Sequence, residues 1–198
     1  MEYNQLPKGF FKKNPLNQLS SANIAYFSIT AGFSGRLEKE MFDLVKKEVD
    51  TRRLDKIKLE REEIPHLESG EDFVRFMRGN YDISNRSLLC KRALTMQQTV
   101  IPPMLRRFRT SMQDMFIEAA VYILAHAEQV YVDQLKTLYP EIRNPYAQSM
   151  ACLVFGIQKQ EDTLPLLLTE YQRLQKEFPE ESLCQGPLLA IYILYNKA

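Results

Sequence analysis

Tyr146-Ala-Gln-Ser-Met-Ala-Cys-Leu-Val-Phe155 decides the fold, because its layout occurs three times between residues 114 and 198. Phe116-Ile-Glu-Ala-Ala-Val-Tyr-Ile-Leu-Ala125 and Leu183-Cys-Gln-Gly-Pro-Leu-Leu-Ala-Ile-Tyr192 share it. Each has a large apolar residue, Gln or Glu two positions on, a small residue, then an apolar helical run. The copies begin at 116, 146 and 183, which is 30 and 37 residues apart. That is the range of stacked helix pairs, in which each pair buries an apolar face only by leaning on its neighbour. Such arrays present surface rather than enclose one reaction centre.

Around the central copy the punctuation is helical. Asn144-Pro145 reads as N-cap and first helical residue, where proline loses no hydrogen bond. Gly156 with Gln158 to Gln160 supplies a turn, and Asp162 is expected to cap the next helix. That helix carries Leu164, Leu167, Leu168, Tyr171, Leu174 and Phe178 at helical three- and four-residue spacing from one turn to the next, and Pro179 ends it.

Upstream, Pro102-Pro103 marks a helix start. Ile83 to Met96 reads as a helix with Leu88, Leu89 and Ala93 inward. Ser69-Gly-Glu-Asp72 caps a short one through Phe73, Val74, Phe76 and Met77. Leu54 to Glu63 is charge-dense, its Lys56 to Glu63 run reads as a solvated helical face, and Pro65 breaks it. Arg36 to Val49 has Leu37, Met41, Leu44, Val45 and Val49 on one stripe. From Ser20 or Ser21 a helix runs through Ile24, Phe27 and Ile29 and is interrupted at Gly32 to Gly35. Residues 1–18, with Pro7, Gly9 and Pro15, form an extended arm that Phe10 and Phe11 can pin down. No alternating β-branched run bounded by Asn-Gly or Asp-Gly occurs. The expected fold is all-α. Residues 19–198 form one helical domain of antiparallel helix pairs stacked as a short right-handed superhelix, clearest over 114–196.

The stretch from Tyr146 to Leu168 resembles a HEAT or HEAT-like repeat, with Ala147, Ala151 and Phe155-Gly156 on the first helix and Asp162, Pro165 and Leu167-Leu168 on the second. The likeness spans Phe116 to Tyr195. It implies a right-handed stack used as a binding surface. Some HEAT-like proteins act on DNA, repair glycosylases among them. The repeat lengths here are unequal, His126 stands where the first copy would have its turn glycine, and the N-terminal half has no clean repeat.

Composition narrows the function classes. The chain is 198 residues long, 45% hydrophobic and 26% charged, with a net charge of +1, so no global field commits it to nucleic acid or membrane. Its seven glycines are few for a phosphate-cradling enzyme. Cys90, Cys152 and Cys184 lack metal-type spacing and read as reduced core thiols. Met1 to Phe11 has no long apolar run, so no signal peptide is expected, and no stretch reaches the roughly 18 apolar residues of a membrane span. The expected location is the cytoplasm.

Charge is nevertheless uneven. Phe73 to Gln113 holds eight basic residues, Arg75, Arg78, Arg86, Lys91, Arg92, Arg106, Arg107 and Arg109, against Asp82 alone. The flanks are acidic. Arginine's planar fork suits phosphate or carboxylate, so these eight are the candidate anion- or nucleic-acid-binding residues if they share a face. The alternative is that they pair with the acidic flanks. Only Tyr81 and Phe108 lie among them for base stacking. Met96, Met104, Met112 and Met115 bracket the segment as core filler or as an adaptable groove.

Catalytic signatures fail on inspection. Gly32-Phe-Ser-Gly35 is followed by Arg36 where a nucleophile elbow needs glycine, and no GxGxxG, phosphate loop or HExxH occurs. In Glu63-Ile-Pro-His66, Pro65 breaks the helix that would align two metal ligands. His66 reads as an exposed turn residue, His126 as a helix-end one. No catalytic residue, cofactor or metal is expected. Three functions follow: a non-enzymatic helical-repeat module for a protein partner; a nucleic-acid-binding protein using residues 75–109, conceivable also as a DNA-acting enzyme on that scaffold; and an enzyme relying on carboxylates such as Asp114 and Glu118.

Overall fold

Where the three sequence copies fall, the chain is helical, and the helices that carry them lie side by side. A computed structural model describes residues 39–195 together with residues 12, 18 and 20. The expected arm over 1–18 and the expected helix from Ser20 lie outside the described residues. The chain divides into two compact units, Met1–Leu59 and Glu60–Ala198. Helix α1, Lys39–Glu63, contributes its first five turns to the former. There Val45 is buried, Leu44, Leu54 and Leu59 are exposed, and Arg52 bonds Glu48 one turn back at 2.7 Å.

The second unit is built from eight further helices: α2 (Gly70–Arg78), α3 (Arg86–Leu94), α4 (Gln97–Phe108), α5 (Asp114–Ala125), α6 (Gln129–Leu138), α7 (Pro145–Ile157), α8 (Leu164–Glu177) and α9 (Gln185–Tyr195). The described residues contain no strand. Helix α3 packs on α5, α5 on α7 and α7 on α9, while α2 packs on α4 and α4 on α6. Alternate helices therefore form neighbouring rows, joined by one core that includes Phe73, Phe108, Phe116 and Phe155.

Helices α5, α7 and α9 are parallel, as cross-links at both ends require. Asn144 Nδ2 donates to the Ser111 carbonyl before α5, and Gln158 Nε2 donates to the carbonyls of Leu124 and Ala127 at its other end. Between α7 and α9, Ser149 meets Leu183 and Gly186 at one end, and Lys159 Nζ donates to the Ile193 carbonyl at the other, 3.1 Å away. The other row repeats this spacing. Gln97 Oε1 accepts from the Glu128 amide, and Gln129 and Gln160 exchange two bonds of 2.9 Å. These partners stand 31 residues apart in sequence.

Two close approaches set the packing. A Cβ on Gly156 would fall on the Ala190 backbone and 2.8 Å from its Cβ, so only glycine lets α7 and α9 meet there. Gly70 lies against the Thr99 carbonyl of α4. That carbonyl would ordinarily receive the amide of residue 103, but Pro103 has none.

Several local expectations need correction. Pro102 and Pro103 do not begin α4; they lie inside it. Leu88 and Leu168 face solvent, whereas Leu89, Ala93, Leu167 and Leu174 are buried. The turn after α7 takes its left-handed residue from Lys159 (φ 54°), while Gly156 stays helical. Asp162 does not cap α8 but holds Lys136 at 2.9 Å. Glu60, read as part of a solvated face, is buried and accepts from the Asp82 amide and from Asn85 Nδ2 at 2.8 Å. Ser69 and Asn144 do cap α2 and α7, their side-chain oxygens accepting the amides of Asp72 and Tyr146.

Candidate interaction surface

The eight basic candidates differ in what they hold. Arg75 holds Asp72 on α2, Arg106 reaches Glu71 at 3.1 Å, and Arg109 reaches Glu141 at 2.9 Å, all with exposed side chains. Arg86 is half-buried and bonds Glu118 at 2.6 Å. Arg92 donates to the Leu67 carbonyl at 3.4 Å. Arg78 and Lys91 are exposed and Arg107 half-buried, with no carboxylate partner among the described residues. Four of the eight are therefore held by acids that the fold brings from other turns or helices.

Arg86 belongs to a polar cluster in the α3–α5–α7 row. Glu118 takes Arg86 on one oxygen and the Tyr146 hydroxyl on the other, at 3.2 Å. Burial and the Glu118 carboxylate push the Tyr146 hydroxyl up to about 12. Burial works against the Arg86 charge, but Tyr81 and Glu118 outweigh it and hold the guanidinium more firmly charged. Glu118 is thus occupied twice, and Asp114, one turn away, lies at the α5 N-terminus where its charge suits the helix dipole. No group of three or more His, Cys, Asp or Glu among the described residues could hold a metal ion.

A second network is deeper. The Tyr139 hydroxyl donates to Glu170 Oε2 at 2.9 Å and lies 3.3 Å from Cys152 Sγ. Arg173 bonds Glu170, Glu177 and, at 2.7 Å, Gln148 Oε1. It ties α7 and α8 to the end of α6. Burial raises the Cys90 and Cys152 thiols to about 12 each, so neither is a nucleophile near neutrality. Cys184 is only partly buried. A thiol reagent at pH 8 is therefore expected to modify one cysteine of the native protein rapidly and all three in denaturant; rapid native modification of Cys152 contradicts this packing. The folded value lies above the unfolded 9.0, so this contribution to stability is complete below pH 9 and lost as pH rises toward about 12.

Two outer faces remain. On α6, a shallow depression of about 390 Å³ is lined by Val130, Asp133, Gln134, Thr137, Leu138 and Glu141. In the other row, Tyr146, Met150, Leu153 and Ile157 run along α7 at four- and three-residue steps, none of them buried and none charged. Tyr122, stacked on His126 with ring centroids 4.6 Å apart, is exposed on α5, and Tyr192 on α9.

No family model, curated protein or solved structure matches the chain. Its own geometry is therefore what speaks for function. Reading by motif missed the Gln97, Gln129 and Gln160 rungs, although their spacings of 32 and 31 residues are visible in the sequence. It also missed the Tyr139–Glu170–Arg173 network, whose members carry no local signature. His126 is the helix-end residue expected, its Nδ1 2.8 Å from the Tyr122 carbonyl, and His66 is an exposed turn residue. No helix among the described residues is long and apolar enough to cross a membrane.

Proposed function

We propose that this chain is a non-enzymatic helical-repeat module, a short HEAT-like right-handed superhelix that binds a protein partner in the cytoplasm. The observation that carries this reading is the recurrence of side-chain rungs 31 to 34 residues apart across successive turns. Such rungs make each helix pair lean on the next, and an array of that kind offers extended rows of side chains. The partner face is the α6 side, where Val130 is exposed beside Asp133, Gln134 and Glu141. An apolar floor with a polar rim is the anatomy of a protein interface. Three unpaired cysteines suit a reducing compartment.

The test is affinity purification of the full chain at near-physiological salt, alongside Val130→Asp. A partner recovered with the parent and lost with the variant supports the reading. Recovery of none, together with turnover on a defined substrate, contradicts it.

Nucleic-acid binding is the second reading, favoured by Arg78, Lys91 and Arg107, which hold no carboxylate among the described residues. DNA and RNA binding at 50 and 200 mM salt separates the two. Several phosphate contacts give a loss of about a hundredfold or more, whereas absent or salt-independent binding removes this reading.

A further inference from the structure

We draw no further inference here: the strongest candidate, the uncharged surface patch of Tyr192 and Tyr195 on α9 at the open end of the α3–α5–α7–α9 row, 58% and 72% exposed, is an apolar face, and nothing in the structure shows what covers it.

Discussion

Gly156→Val is expected to lower the unfolding free energy by about 3 kcal/mol or more. Replacing a helical glycine gains at most about 1 kcal/mol of intrinsic propensity, and valine gains less because its branched Cβ loses rotamer freedom. Against this stands a hard contact. The new Cβ would meet the Ala190 backbone, 2.9 Å from its carbonyl oxygen, and a backbone atom cannot swing aside as a long side chain can. Helices α7 and α9 must separate, which opens the core around Ala151 and Ala190. Urea unfolding measures the difference, with Gln172→Ala on exposed α8 surface as a control expected within about 0.5 kcal/mol of the parent. A Gly156→Val protein as stable as the parent means that α7 and α9 do not touch at this point.

Arg173→Met is expected to cost about 2–3 kcal/mol, below the 3–5 of a fully buried pair because Arg173 retains some solvent contact. The loss comes from what remains. Glu170, 8% exposed, keeps the Tyr139 hydroxyl and loses its cation. Glu177, on the surface, loses little. The companion variant decides the cause: Arg173→Met with Glu170→Leu removes the stranded carboxylate and is expected to recover at least half of the loss, since an apolar replacement of a buried pair is often close to neutral. If the double variant is less stable than Arg173→Met alone, the network contributes by attraction beyond its own desolvation cost.

The sequence made the helical class and its strongest boundaries legible for clear reasons. Asn144-Pro145 and Ser69 carry their capping chemistry locally, and the apolar runs of α5 and α7 record burial directly. What it concealed depends on neighbours far along the chain. Pro102-Pro103 suits a first turn, yet both lie inside the helix, and Gly70 packs against the Thr99 carbonyl that Pro103 leaves without an amide partner. Leu88 and Leu168 fit an inward stripe by periodicity, but which arc of a helix is covered depends on how many helices surround it. The arginine-rich segment illustrates the same limit. Arg86 and Arg109 lie 32 residues from their carboxylates, so a local count of charge cannot see the pairing. Glu170 and Cys152, in turn, meet at Tyr139 only because α6, α7 and α8 converge there.

Residues 31 apart in sequence touch and hold one another. A double-mutant cycle on Gln129→Ala and Gln160→Ala, followed by urea unfolding, measures that contact most directly. The two side chains exchange a pair of 2.9 Å bonds, and a coupling energy of about 1 kcal/mol is predicted. Strict additivity, to within about 0.3 kcal/mol, would contradict the stacked arrangement on which the proposed binding surface depends.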